Sequence, residues 1–290
     1  MPNQVFVMSA TGNVGKNVVD MLQLINECSV VIGTRNPEAA EDFMDENTEI
    51  RKFDFHDPST FASAFDGCDA MFLNVPGQPA MADIVPPILT EAKKAGVKFI
   101  AKLGVTGANP NAPFVFAKLH GLVDKAVQES GIDFCTLNPV EFMDNYFNFQ
   151  GATIKASGSF YLPQGTATKS LVSCVDIGEA FAEVLLDPNE YAGKSLPIAG
   201  FDYTNVEIAS ILSIVLQKQI SYVDVPEEVA EQSLRSMGAE DWFVQGMMEL
   251  NSLWKKGMLV ASNEPLIEIL GRYPQSFEQF ARENKEAFLP

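Results

Sequence analysis

Seven residues near the start of the chain, Ser9-Ala10-Thr11-Gly12-Asn13-Val14-Gly15, have the composition and spacing of a phosphate cradle. Gly12 lets the backbone approach a pyrophosphate, and Gly15 lets the helix that follows pack closely on the preceding strand. A helix starting here turns free N–H groups and the positive end of its dipole toward an anion. Ser9 stands where the pattern GxxGxxG has its first glycine, and its side chain narrows the freedom of the turn. The chemistry this serves is the binding of a dinucleotide.

Arg35 bears on which dinucleotide. A free ribose 2′-hydroxyl is usually met by an acid about 20 residues beyond the glycines. No acid lies between Cys28 and Pro37, and the segment ends in Thr34-Arg35-Asn36. A guanidinium fork matches phosphate oxygens. NADPH/NADP is therefore expected rather than the NAD(H) pair.

His120 and Asp124 are the candidate catalytic residues. Four positions apart on a predicted helix, they share one face. A histidine titrates near neutrality and can pass a proton, and an aspartate one turn on can orient it. The other common arrangement, Tyr-x-x-x-Lys, is absent: none of the six tyrosines, Tyr146, Tyr161, Tyr191, Tyr203, Tyr222 and Tyr273, has a lysine four residues later. Lys118 points to another side of the helix and reads as solvated.

These groups need a scaffold, and the hydrophobic pattern supplies one. Gln4–Met8 is an apolar run long enough for a buried strand, and Val14, Val18, Leu22 and Ile25 mark one face of a helix. Ser29–Thr34 is a second buried strand, completing a βαβ unit. Strands follow at Ile50–Phe53, Asp69–Leu73, Val97–Leu103 and Ile132–Asn138, with helices over 59–65, 81–95 and 114–130 between them. Apolar strands alternating with helices imply a doubly wound α/β fold with a parallel sheet. Ligands of such sheets bind beyond the carboxyl ends of the strands. The segments that could touch them are 9–15, 34–36, Asp54-Phe55, Asn74-Val75-Pro76, the stretch holding Lys102 and Thr106, and 138–146. Asn74-Val75-Pro76 should border the ribose and nicotinamide. Thr106 could bind a substrate oxygen, and Lys102 could offset the charge of an anionic cofactor. Phe142, Met143, Tyr146, Phe147 and Phe149 form an aromatic cluster suited to a flat apolar substrate.

The rhythm changes after about residue 150. The division expected is a nucleotide-binding domain over 1–150 and a smaller, mostly helical substrate or lid region over 151–290, which could interleave with the core. Residues 151–170 read as irregular loop or short strands. Thr204, with Glu207 three residues on, reads as a capping box opening a helix over 204–215.

Composition narrows the function classes. Thirty-eight acids against 20 bases give a formal charge of −18. Such a surface repels phosphate backbones and anionic lipid, so neither nucleic acid nor membrane is an expected partner. No window approaches 18 uninterrupted apolar residues. Cys28, Cys68, Cys135 and Cys174 lack metal or disulfide spacing, and with only His56 and His120 beside them no metal site is expected. Free thiols and a first strand in place of a leader suit a reducing, cytoplasmic compartment.

Taken in order, the motifs resemble those of the NmrA-like branch of the atypical short-chain dehydrogenases/reductases. The matching pieces are Ala10-Thr11-Gly12-Asn13-Val14-Gly15, Thr34-Arg35-Asn36-Pro37, Asp54, His120-Gly-Leu-Val-Asp124, Ser130-Gly131-Ile132, Thr136-Leu137-Asn138-Pro139 and Phe142-Met143-Asp144-Asn145. Later landmarks are Val175-Asp176-Ile177-Gly178 and Tyr203-Thr204-Asn205-Val206-Glu207-Ile208. Asn138 stands where that family often has arginine, Asp124 for glutamate and Ser9 for glycine. The resemblance implies a Rossmann core, NADP(H) preference, and a cofactor-contacting or catalytic role for His120. It also implies that Pro139, Val140, Glu141 and Phe142 lie against the nicotinamide. Family members include reductases of quinones, azo compounds and imines, and also NADP(H) sensors that regulate partner proteins. The expected activity is NADPH-dependent reduction of a small, flat, apolar quinone, imine, azo compound or activated alkene. The alternative is a sensor with little turnover.

Overall fold

A computed structural model gives the fold and describes residues 1–289. The chain forms two compact units. The first comprises Met1–Pro139, Cys174–Pro197 and Glu268–Gly271, and the second comprises Val140–Ser173, Ile198–Ile267 and Arg272–Pro290. The chain thus leaves the first unit at Pro139 and returns to it at Cys174.

In the first unit, β1 (Gln4–Met8) leads through the glycine turn into α1 (Asn13–Ile25) and β2 (Ser29–Thr34). Then come β3 (Thr48–Lys52), α2 (Phe61–Phe65), β4 (Ala70–Leu73), α3 (Met81–Ala95), β5 (Phe99–Leu103), α4 (Val115–Glu129) and β6 (Asp133–Pro139). The sheet runs β3-β2-β1-β4-β5-β6, with strand Ser195–Ile198 at the β6 edge. The pairs from β3 through β6 are all parallel, as the alternation of strands and helices requires. Val5, Phe6, Val7 and Met8 are all fully buried, so β1 is covered on both faces. One cover is the aromatic cluster of Phe6, Phe53, Phe61 and Phe65, in which Phe6 and Phe65 meet edge to face at 4.9 Å. The other includes helix Cys174–Leu186, which packs along α1. Gly178 makes that approach possible, since a Cβ there would overlap Asn17. The chain reverses direction across the sheet between β1 and β4, which opens a crevice at their carboxyl ends.

The second unit holds the sheet Phe201–Thr204, Thr168–Val172 and Glu141–Phe142, and a parallel pair Ser159–Leu162 with Ser221–Asp224. Helices make up most of the remainder, among them Asn205–Leu216 and Asp241–Lys255. The capping box at Thr204 and Glu207 is present in both directions, with Glu207 Oε2 accepting from Thr204 N at 2.7 Å. Residues 151–170 depart only in part from the loop or short strands expected. Gly151–Ser157 is a helix closed by Gly158 in the left-handed region, and two strands follow. The small residues there satisfy helix packing, which their polar, turn-like composition conceals.

Candidate active site

The site is built at the carboxyl edge of the first unit's sheet. Gly12 is the N-cap of α1, with no side-chain cap and no acid in the first turn, so the helix turns uncapped N–H groups outward. Ser9 adopts φ +52°, the left-handed conformation that glycine holds without cost. Its hydroxyl donates to the Asn74 carbonyl at 3.1 Å, tying the β1 turn to the segment after β4 across the crevice. The serine thus trades backbone freedom for a fixed turn. A Cβ on Gly15 would overlap the Ser9 carbonyl, and one on Gly12 would stand 3.2 Å from the same oxygen. Both glycines therefore sit where the turn admits no Cβ without some shift of the Ser9 backbone. Ala10 and Val14 are buried beneath the turn, while Thr11 and Asn13 face outward.

β2 ends in partly buried Thr34 and exposed Arg35 and Asn36, and no ion pair of Arg35 occurs among the described residues. Asp54 and Phe55 follow β3, the neighbour of β2. Asp54 accepts from His56 N at 3.0 Å, and Phe55 meets Phe53 at 5.1 Å. Beyond β4, Val75 is buried while Pro76 is exposed. An uncapped helix N-terminus, a glycine at the end of the turn and an unpaired guanidinium at the end of β2 fit a dinucleotide carrying a 2′-phosphate.

The expected catalytic pair is corrected by the geometry. Asp124 does not hold His120; its Oδ1 accepts from Lys102 Nζ at 2.5 Å. Lys102 lies within β5 rather than after it, is 2% exposed, and so is committed to this pair instead of meeting solvent-side charge. Burial holds its ammonium below the usual lysine range, against the pull of Asp124. His120 Nδ1 is buried without a hydrogen-bond partner. Burial, and then the Lys102 charge, push its pKa down to about 3. An imidazolium acid at neutral pH is therefore not available there. A lysine inside the apolar run Phe99-Ile100-Ala101-Lys102-Leu103 was the sequence signal for this pair.

Thr106 is also corrected. Its hydroxyl donates to the Asn138 carbonyl at 2.9 Å and its N–H to the Pro139 carbonyl, so it closes a loop.

Within the second unit, Glu141 and Tyr146 belong to a buried polar cluster. Lys169, fully buried, stands 3.0 Å from Glu141 Oε2 and donates to the Tyr146 hydroxyl at 2.9 Å. Tyr146 in turn donates to Asn205 at 2.7 Å. The fold thus assembles a Tyr–Lys pair that the Tyr-x-x-x-Lys spacing could not reveal. It is not the catalytic kind. Burial pushes the Tyr146 hydroxyl up to about 12, and Glu141 keeps Lys169 charged, with its pKa raised. Met143 and Tyr146 are core, and Phe147 stacks on Phe280 at 5.7 Å, so the expected aromatic substrate cluster is mostly packing. Val140 and Phe142 are partly buried.

Fold and site define an NAD(P)-binding α/β architecture, and the NmrA-like family profile matches residues 1–256. The chain belongs to the NmrA-like family. It is 28% identical over 286 residues to an NAD(P)H azoreductase of Xenophilus azovorans, covering 98% of this chain and 99% of that protein. The structure of an NADPH-dependent quinone oxidoreductase from Escherichia coli, complexed with NADPH, superposes with a TM-score of 0.85. It is 23% identical and covers 96% of this chain and 99% of that one. A negative transcriptional regulator, NmrA, solved with NADP, gives 0.80 at 14% identity over 97% and 94% of the two chains. Among the described residues, no helix is long and apolar enough to cross a membrane.

Proposed function

We propose that this protein is an NADPH-dependent oxidoreductase that reduces a small, flat, apolar acceptor. The observation that carries the cofactor reading is the uncapped α1 N-terminus beside an unpaired Arg35 with no acid at the end of β2. Ala10–Gly15 would hold the pyrophosphate, Thr34, Arg35 and Asn36 the 2′-phosphate, Asp54 and Phe55 the neighbouring adenosine, and Asn74 and Pro76 the ribose. Bound NADPH supplies the hydride, and the protein's part is to hold and polarise the acceptor. With His120 neutral and Tyr146 buried, acceptors that need no strong acid suit the site. Quinones, azo compounds, imines and activated alkenes are of that kind, and the named activities of the azoreductase and quinone oxidoreductase relatives support this class.

The cofactor reading is tested by titrating NADPH and NADH against wild type and Arg35→Ala, following nucleotide fluorescence. NADPH should bind wild type more tightly. Losing a charge-assisted phosphate contact costs about 1.5–3 kcal/mol, roughly ten- to a hundredfold in affinity. Arg35→Ala should lose that margin for NADPH and leave NADH unchanged. Equal wild-type affinities for the two cofactors would overturn the assignment. Tight NADPH binding without oxidation by any acceptor would favour a sensor, the role suggested by the regulator of the same fold.

A further inference from the structure

Three features of the α4 segment belong together. His120 is partly exposed, yet its Nδ1 is sealed from solvent without a partner. Asp124, one turn on, is turned away to Lys102. Lys102 reaches from β5 beneath the helix, and its ammonium has three N–H donors of which one meets Asp124. The charged groups that bear on His120 are Lys102 from β5, whose charge acts on the ring, and Asp124, one turn along α4, to which Lys102 donates. The adjoining α3 sends Lys93 to the far end of α4, where it donates to the Ser130 carbonyl.

We infer that Lys102 is a positioning residue that fixes the neutral Nε2–H tautomer of His120, so that His120 presents an N–H donor, not an acid, to the hydride acceptor. A proton on Nδ1 would be a buried donor with no acceptor, in the field of an ammonium, and both terms are unfavourable. With Nδ1 unprotonated, the Lys102 charge, which disfavours a further proton on this ring, is accommodated. The one ring proton then sits on Nε2. A neutral imidazole donor polarises a carbonyl or imine without losing its proton, which is how a histidine can act as an electrophile with its charge suppressed. Asp124 shares in this by keeping Lys102 seated. The role at the acceptor rests on the reductase reading. The tautomer does not, so the two can fail separately.

The test is long-range proton–nitrogen NMR of the histidine rings in the full chain. His56 is the only other histidine, and His56→Gln assigns the spectrum. His120 should show the Nε2–H pattern and stay neutral from pH 5 to 8. In Lys102→Met/Asp124→Asn, which removes both charges together and so strands neither, the tautomer should become mixed and the ring should take up its proton at a higher pH than in wild type. A kinetic counterpart follows: kcat with a quinone should be flat over this range in wild type and lower in the double variant, with KM for NADPH little changed. An Nδ1–H pattern in wild type, or protonation between pH 5 and 8, overturns the inference whether or not the double variant folds. A double variant whose His120 is unchanged in both respects overturns the part played by Lys102. If the tautomer is as expected but no acceptor oxidises NADPH, it is the reductase reading that fails.

Discussion

Gly12→Val is expected to abolish NADPH binding while leaving the chain folded. Gly12 has φ −88° and ψ 171°, an extended conformation that a β-branched residue adopts readily. Its Cβ would lie 3.2 Å from the Ser9 carbonyl, a contact that a few tenths of an ångström relieve. The backbone therefore tolerates valine, but the two methyl groups fill the space over the α1 N-terminus, the proposed pyrophosphate site. Losing several charge-assisted hydrogen bonds at about 1.5–3 kcal/mol each lowers affinity by more than a hundredfold. Gly15→Ala makes the contrast. Its Cβ would overlap the Ser9 backbone, so the expected effect is on stability, about 1–3 kcal/mol for an overpacked site. Thermal unfolding beside NADPH titration separates the two variants. A folded Gly12→Val that binds NADPH normally would show the pyrophosphate to lie elsewhere.

The largest stability effect is expected at Lys169. Removing one partner of a buried ion pair leaves an uncompensated charge and costs roughly 3–5 kcal/mol. Lys169→Met strands Glu141, which is 8% exposed, and removes a donor to Tyr146. The second variant, Lys169→Met/Glu141→Leu, removes both charges and should recover most of the loss, because an apolar replacement of a buried pair is often neutral or better. Urea unfolding of the three proteins reads this directly. A Lys169→Met protein as stable as wild type would mean that the pair contributes nothing to the second unit.

Much of the first unit was legible because its physics is local. β1, β2 and β4 are built on short apolar runs, and glycines punctuate the elements: the helix over 81–95 ends at Gly96, in the left-handed region, where the sequence placed its end. The glycine turn between β1 and α1 was legible for the same reason, since it rests on two glycines at fixed offsets. The pairings of charged groups were not. Asp124 lies one turn from His120 in sequence, but the neighbour that decides its partner, Lys102, arrives from a strand 22 residues earlier. A lysine and an aspartate both leaving water gain more from each other than either gains from a neutral imidazole. The buried chain from Glu141 through Lys169 and Tyr146 to Asn205 joins four segments in the same non-local way. Pattern reading places such residues on elements, and tertiary packing then chooses their partners.

The measurement that bears most directly on the central claim is anaerobic oxidation of NADPH, in large molar excess over the protein, against a panel of quinones, azo dyes, imines and enones. Multiple turnovers with at least one of them, faster with NADPH than with NADH by about tenfold or more, is the predicted result, given the phosphate contact assigned to Arg35. Tight binding of NADPH with no oxidation beyond the uncatalysed rate for any acceptor would contradict it, and would make the protein a binder of this cofactor, not an enzyme that spends it.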